Sequence, residues 1–288
     1  MNLIEGGPAA AAGTLKINDR ITAVGQGRDG SMTDVVGWRI DDVVQLIRGK
    51  GGTPVRLQIL PAGAAPGSPE KTVEFMRGKV TLEAQAAKKE LKTFRRGERE
   101  YKVGVINVPG FYSDYDAQRA GEKDYRSTTR DVRKLIDELK KEGVDSIVMD
   151  LRGNGGGFLP EAQSLTGLFI DRGPVVQVQF SGGDKEVLDD DQSGVAYDGP
   201  LVVLIDRFSA SASEIFAGAI QDYKRGIVIG SSSTYGKGTV QRNVSFGKPL
   251  DSLGIQTEYG AVKLTFQKFY RITGSSTQKK GVVPDVIL

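Results

Sequence analysis

Strand-like and helix-like segments alternate through the second half of this 288-residue chain. The apolar runs KVGVINV, SIVMDL, LVVLI and GIVIG favour buried strands, whereas TTRDVRKLIDELKKEG and SEIFAGAIQDY have apolar residues at helical spacing. In the first of these two helices the inward residues are Val132, Leu135, Ile136 and Leu139. Such alternation predicts an α/β domain with a largely parallel central sheet.

Histidine and cysteine are both absent from the chain. A Ser-His-Asp triad therefore cannot form, a thiol nucleophile is excluded, and a zinc site without His or Cys would be atypical. If a serine acts as nucleophile, lysine is the best available base, because burial disfavours the ammonium form and brings the lysine pKa toward neutrality. With 39 basic and 36 acidic residues the net charge is only +3, so nucleic acid is not an expected partner.

Three polar or glycine-rich turns follow predicted strands: DLRGNGGG at 150–157, DRFSASASE at 206–214 and GSSSTYGKGTVQ at 230–241. In a parallel sheet the carboxyl ends of the strands share one edge, and active sites gather there. The first turn lacks the third glycine of the dinucleotide pattern, and the third turn has the wrong glycine spacing for a phosphate-binding loop. An exposed hydroxyl, spare N–H groups and a lysine are instead the parts of an acyl-transfer site.

The serines of SASASE also have a purely structural interpretation. Ser211 and Glu214 fit a capping box, in which the serine oxygen accepts from the first helical turn and the glutamate reaches back to the cap. Taken alone, this motif indicates the start of a helix. Its catalytic interpretation depends on the other two turns lying at the same edge of the sheet.

The N-terminal part of the chain has a different pattern, with the segments EGGPAAAAGTLKINDRITAV, GWRIDDVVQLIRGKGG and TPVRLQIL. Together they resemble the later two thirds of a PDZ domain, although the family's first strand, carboxylate-binding loop and second strand are not found. We therefore expect a partial PDZ domain at residues 1–78. By this resemblance the surviving side of the peptide groove would be formed by helix residues Ile40, Val43, Val44 and Ile47.

Four ordered motifs, DLRGNGGG, DRFSASASEIFAGAIQDY, YGKGTVQ and QKFYRITGSSTQKKGVVPDV, resemble the C-terminal processing peptidases, the serine-lysine peptidase family S41. The resemblance is greatest to the long bacterial tail-specific proteases of the periplasm. It implies an α/β protease core of the ClpP/crotonase-like fold at residues 79–288, preceded by the truncated PDZ domain. It also implies a periplasmic location.

The same resemblance assigns roles to individual residues. Ser211, the middle serine of three, corresponds to the nucleophile, Lys237 to the general base, and Gln241 to the residue that orients the lysine amine. Ser209 and Ser213 are assigned to structure, since only one hydroxyl can occupy the attack position. The oxyanion hole would be formed by backbone N–H groups, one from Ala212 and one from either Gly156 or Gly157.

The expected activity is that of a serine endopeptidase acting on proteins with nonpolar or unstructured C-terminal tails. Neither a metal nor an organic cofactor is required by this chemistry, and a periplasmic adaptor protein is a further partner that the resemblance implies. The alternative is a peptide-binding or assembly fragment without catalysis, because the long family members carry helical regions that this chain lacks.

Overall fold

The structure is a computed structural model. It describes residue 3 and residues 7–65, 67–78, 85–245 and 260–288. The chain divides into two compact units, Met1–Gln85 and Ala86–Leu288, and each unit has its own hydrophobic core. This division lies a few residues later than the boundary expected between residues 78 and 79.

The smaller unit is an antiparallel sheet with two helices, and its strands are ordered β2-β1-β3-β4. In β3 alternate residues Val55, Leu57 and Ile59 face the core, as the period of a strand with one buried face requires. The elements are α1 (Pro8–Ala12), β1 (Arg20–Gln26), β2 (Met32–Asp34), α2 (Ile40–Ile47), β3 (Pro54–Leu60) and β4 (Lys71–Met76).

Helix α2 carries the four residues expected to line a peptide groove. Val43 and Ile47 are only partly buried, but both pack against the core of the smaller unit. Ile40, at the start of the helix, is 57% exposed. Core packing thus gives a structural reason for the apolar spacing at Val43 and Ile47, and the peptide-binding role of the four residues stays a prediction.

The larger unit contains two sheets in its described part. Its elements are β5 (Lys88–Arg96), β6 (Arg99–Asn107), α3 (Tyr115–Arg119), α4 (Thr128–Lys141), β7 (Ser146–Asp150), α5 (Leu159–Thr166), β8 (Gly173–Phe180), β9 (Lys185–Asp190), β10 (Leu201–Ile205), α6 (Ala212–Asp222), β11 (Ile227–Gly230), β12 (Thr239–Ser245), β13 (Ala261–Tyr270) and β14 (Val286–Ile287).

The central sheet has the strand order β14-β11-β10-β7-β6-β5. All neighbouring pairs are parallel except β5 and β6, so the predicted, largely parallel sheet is confirmed. Strands β7, β10 and β11 are adjacent, and they end at Asp150, Ile205 and Gly230. The three turns singled out in the sequence therefore follow neighbouring strands at one edge.

Helix α4 shows how the apolar pattern fixes the packing. Val132, Ile136 and Leu139 are fully buried, as their spacing predicts. Gly104 on β6 allows the close approach, since a Cβ at that position would lie 2.6 Å from Leu139 Cδ1.

Among the helices within the described ranges, none combines the length and apolar character that crossing a membrane requires.

The second sheet is antiparallel, with the order β12-β13-β8-β9. The sequence did not indicate which strands would pair with β12, the strand that follows the Lys237 loop. β12 begins at Thr239, two residues after Lys237, so this sheet positions the end of the lysine-bearing loop. The loop thus runs from the central sheet, at β11, into the antiparallel sheet.

Candidate active site

Ser211 immediately precedes helix α6, whose residues are mostly buried. Its backbone has φ 59° and ψ −113°, a conformation that residues with a Cβ rarely adopt. Strain of this kind persists only where the surroundings hold the turn, and it clusters at functional positions. The Ser211 side chain is itself partly exposed. The turn therefore presents one serine hydroxyl at the N-terminal end of a buried helix.

Ser209 and Ser213, on either side of Ser211, are fully buried. The Ser209 hydroxyl donates to the Leu151 carbonyl at 2.8 Å, and the Ser213 hydroxyl donates to the Asn154 carbonyl at 2.9 Å. Both bonds fasten the serine-bearing turn to the glycine-rich turn that follows β7. Both hydroxyls thus join the two turns, which agrees with the structural role expected of Ser209 and Ser213.

Asn154 organises the glycine-rich turn and is fully buried. Its side-chain amide donates to the Val108 carbonyl at 2.8 Å, and its Oδ1 accepts from the Gly156 N–H at 2.9 Å. Within the described residues, the N–H groups of Gly157 and Ala212 have no hydrogen-bond acceptor. Since the Gly156 N–H is already used, Gly157 is the better of the two candidate partners for Ala212 in an oxyanion hole.

Gly156 and Gly157 lie too close to neighbouring backbone to carry a side chain. A Cβ on Gly156 would lie 2.8 Å from Ser211 Cβ and 3.1 Å from the Ala212 nitrogen, and one on Gly157 would lie 2.0 Å from the Phe111 carbonyl oxygen. Their φ angles, 102° and 149°, also favour glycine. The glycine-rich turn is thereby pressed against the peptide unit that joins Ser211 to Ala212.

Glu214, in the first turn of α6, is fully buried and accepts four hydrogen bonds. Its carboxylate accepts from the Ser211 N–H at 2.8 Å, the Thr234 hydroxyl at 2.6 Å, the Gly236 N–H at 2.7 Å and the Lys237 N–H at 2.9 Å. Burial raises the pKa of this carboxyl group, and the hydrogen bonds oppose that effect. Glu214 thus reaches back as a capping residue, and it also ties the lysine-bearing loop to the serine-bearing turn.

The lysine-bearing loop is held from its other side by residues 277–282, here called the clamp segment. The Thr277 hydroxyl donates to the Lys237 carbonyl at 2.8 Å, and the Gly238 N–H donates to Gln278 Oε1 at 2.9 Å. Both bonds involve backbone groups of the loop, so they fix its path without using the Lys237 amine. The clamp segment lies within QKFYRITGSSTQKKGVVPDV, the last of the four motifs described in the sequence analysis.

Ser211 and Lys237 line one cavity of about 560 Å³. The same cavity is bordered by Gly157 of the glycine-rich turn and by Ala212 at the start of α6. The structure therefore brings the predicted nucleophile, base and oxyanion donors to one cavity. Its apolar lining is formed by Phe158, Leu159, Ile215, Val240, Phe266 and Phe269.

The surroundings of Lys237 favour its neutral form. Burial lowers the pKa of Lys237, the positive charge of Lys263 lowers it further, and Glu214 opposes both effects. No hydrogen bond joins the Ser211 hydroxyl to the Lys237 amine among the described residues, and such bonds often form only when substrate is bound. In the same described ranges no group of three or more acidic side chains is arranged to hold a metal ion.

Gln241 lies on β12 and borders the cavity. Its side-chain amide donates to Thr265 Oγ1 on β13 at 3.2 Å and makes no hydrogen bond with Lys237. The structure therefore brings Gln241 to the site but directs its amide to the neighbouring strand. Its expected role, to orient the lysine amine, stays a prediction.

Two organising residues, Asn154 and Glu214, were not assigned a role in the site from the sequence. Asn154 stands among the glycines of DLRGNGGG, where a polar side chain signals a turn that needs internal hydrogen bonds. Glu214 was interpreted only as half of a capping box. A buried carboxylate accepts more than the one bond that a cap supplies, but the sequence does not show which N–H groups provide the others.

Two family profiles match the chain. The profile described as Peptidase family S41 matches residues 102–288, which carry all three turns of the site, and the profile described as PDZ domain matches residues 1–60. These matches, with the sheets described above, confirm the predicted fold class: an α/β protease core preceded by a PDZ domain.

Two curated relatives and one solved structure illustrate the similarity. The chain is 44% identical over 287 residues to the tail-specific protease of Haemophilus influenzae, covering 99% of this chain and 38% of that protein. It is 31% identical to the carboxy-terminal processing protease CtpA of Bacillus subtilis, covering 98% of this chain and 51% of that protein. The photosystem II D1 C-terminal processing protease superposes with a TM-score of 0.62 at 30% identity, covering 98% of this chain and 66% of the other. The chain thus spans about half the length, or less, of these two curated relatives.

Proposed function

Because this chain belongs to peptidase family S41, we propose that its larger unit is a serine endopeptidase in which Ser211 and Lys237 form the catalytic dyad. The observation that carries the proposal is the shared cavity: a serine in a strained turn and a lysine with a lowered pKa border the same space. A neutral amine next to a hydroxyl is the arrangement that activates serine in the absence of histidine.

The reaction would proceed by acyl transfer. Neutral Lys237 accepts the Ser211 proton as the hydroxyl oxygen attacks a peptide carbonyl, and the N–H groups of Ala212 and Gly157 donate to the oxyanion. The lysine ammonium group then protonates the leaving amine, which departs as the new N-terminus of the released peptide. Water hydrolyses the acyl-enzyme and restores the Ser211 hydroxyl.

The direct test is covalent labelling of the nucleophile. A serine-directed phosphonate or sulfonyl reagent is expected to modify Ser211, located by mass spectrometry, and to abolish turnover of an unstructured protein with a nonpolar C-terminus. Ser211→Ala should remove both labelling and turnover. Ser232→Ala, a change at an exposed serine of the neighbouring loop, serves as the matched control and should preserve both. Normal turnover by Ser211→Ala would refute the assignment.

A peptide-binding or assembly fragment is the alternative function. The two functions differ in a single observation, because a binding module retains the unstructured protein without cleaving it. Persistent binding with no cleavage product, by a folded protein that also fails to react at Ser211, would favour the alternative.

We also infer a periplasmic location, substrates with nonpolar C-terminal tails and a periplasmic adaptor as a further partner. The apolar lining of the cavity and the similarity to a bacterial tail-specific protease support the substrate class. Cleavage of one unstructured protein carrying either a nonpolar or a charged tail tests the substrate class. Cell fractionation against a periplasmic marker tests the location, and affinity purification from the periplasmic fraction tests the partner.

A further inference from the structure

The active-site cavity carries positive charge that the dyad does not account for. Besides Lys237, it is bordered by Arg242 on β12 and Lys263 on β13. Both side chains are exposed, and neither forms a salt bridge within the residues that the structure describes. Two cations therefore border a cavity proposed to bind peptide, and neither is neutralised by a described carboxylate.

The strand register puts Lys263 on the same side as the rest of the site. Gln241 is paired with Thr265, and the hydrogen bond between their side chains shows that both point to one face of the β12–β13 pair. Residues two positions apart in a strand share a face at a spacing of about 7 Å. Lys263 therefore stands one repeat along β13 from Thr265, on the face that carries Gln241.

Arg242 borders the cavity from the other strand, but it directly follows Gln241 and so lies on the opposite face of the β12–β13 pair from Lys263. Its guanidinium carbon lies 4.9 Å from the centre of the Phe266 ring, in a cation–π contact, and Phe266 also borders the cavity. Such stacking orients the guanidinium plane and leaves its N–H groups available at the edge. On the face that carries Gln241, Lys263 is therefore the cation that can donate to a carboxylate.

The charge of Lys263 is felt at the catalytic centre, because it is one of the causes that lower the pKa of Lys237. The charged groups that shift the pKa of Lys237 are Lys263 at the cavity, which lowers it, and Glu214 in the loop contact, which raises it. A like charge near a base repels its protonated form. An anion bound beside Lys263 would reduce that repulsion, so the cavity is electrostatically suited to a negatively charged ligand group.

We propose that Lys263 forms a carboxylate subsite of the active-site cavity, which binds an acidic group of the peptide substrate close to the scissile bond. The inference rests on the proposed peptidase function and adds a substrate feature to it. A peptide offers two sources of this chemistry, its terminal carboxylate and the side chains of Asp and Glu. Apolar side chains of the same substrate would occupy the lining formed by Phe158, Ile215 and Phe269.

The experiment compares matched unstructured peptides with nonpolar residues around the cleavage site. One arm compares a free C-terminal carboxylate with a carboxamide at several distances from the cleaved bond. The other arm keeps the amide and compares Asp with Asn at single positions. For the unaltered chain we expect the charged peptide to have a kcat/KM about fivefold higher at low salt, and the preference to fall as salt is added. The arm that shows the preference identifies the source of the carboxylate.

Three variants link the preference to the subsite. Lys263→Met removes the charge at similar length and should bring the ratio close to one, whereas Lys263→Arg should restore it. Lys268→Met is the matched control: Lys268 is an exposed lysine of the same strand that does not border this cavity, so the preference should persist. A ratio near one in the unaltered chain, or an unchanged ratio in Lys263→Met, would overturn the proposal.

Binding separates failure of the subsite from failure of the proposed function. Fluorescence anisotropy with Ser211→Ala measures peptide affinity without turnover, and we expect the same preference of about fivefold for the charged peptide. A charge preference in binding without cleavage by the unaltered chain would support the subsite and count against the peptidase. Cleavage without charge preference in either measurement would retain the peptidase and refute the subsite.

Discussion

The strained backbone conformation of Ser211 should lower the free energy of unfolding, and this effect is independent of catalysis. At φ 59° a glycine is unstrained, whereas alanine keeps the clash between Cβ and backbone. We therefore expect Ser211→Gly to be more stable than Ser211→Ala by about 1 kcal/mol, although both are inactive. Thermal unfolding measures the difference.

The matched pair for this prediction is Ser232→Gly and Ser232→Ala. Ser232 does not have a positive φ, so here the alanine variant should be the more stable one. If Ser211→Ala equalled or exceeded Ser211→Gly in stability, the turn would not hold the strain ascribed to it.

Lys237 sets the expected pH dependence. Because burial and Lys263 lower its pKa, kcat/KM should rise with pH through an ionisation below the ordinary lysine value of 10.5. Lys263→Met removes a repulsive charge, which makes Lys237 easier to protonate, so the rising limb should move to higher pH. Lys237→Arg should be inactive throughout, since a guanidinium stays protonated. A limb that moves to lower pH in Lys263→Met would contradict this account.

The loop between β11 and β12 depends on Glu214 for its attachment to α6. Glu214→Ala leaves the buried N–H group of Gly236 and the partly buried N–H group of Lys237 without an acceptor, and we expect a stability loss of about 3 kcal/mol. Displacement of the base should also lower kcat/KM by about a hundredfold. The stability and kcat/KM of Glu214→Gln should lie between those of the unaltered chain and Glu214→Ala. Its amide oxygen still accepts hydrogen bonds, whereas its NH₂ group faces other donors.

Glu161→Ala is the control for Glu214→Ala. Glu161 is another buried carboxylate near a helix start, and it accepts from the N–H and hydroxyl of Thr129, outside the site. Its loss should reduce stability without changing kcat/KM of the folded protein. Equal kinetic losses in the two variants would assign the effect to general destabilisation. Denaturant unfolding and steady-state kinetics provide the two readouts.

The two units of the chain should unfold as separate cores. Leu57 belongs to the core of the smaller unit and Ile147 to that of the larger, and alanine at either site should cost its own unit about 2–5 kcal/mol. The single tryptophan, Trp38, lies in the smaller unit, so its fluorescence should respond to Leu57→Ala and not to Ile147→Ala. The temperature at which Ser211 stops reacting with the label should fall in Ile147→Ala and not in Leu57→Ala. If one substitution shifted the transitions seen by both probes equally, the two cores would not be independent.

Local patterns in the sequence were enough to predict the parallel sheet and its helices, because each of these strands and helices has its own apolar run or helical spacing of apolar residues. The antiparallel sheet was not predictable in the same way. Tyr270 of β13 pairs with Gln177 of β8, and nothing in either segment encodes the other as its partner. Similarly, the spacing of Ser211 and Glu214 indicated a cap, but the bonds from Glu214 to the Lys237 loop arise only when distant segments meet. Motif resemblance supplied the roles that local physics could not.

The clamp segment also bears on when the site can exist during synthesis. Thr277 lies 40 residues beyond Lys237, whose carbonyl accepts its hydrogen bond, and both residues of the proposed dyad are made before it. A growing chain that has already released Ser211 and Lys237 from the ribosome still lacks the partners that fix the base-bearing loop. In the proposed peptidase, the loop that carries Lys237 would therefore be fixed late, after both Ser211 and Lys237 have been made.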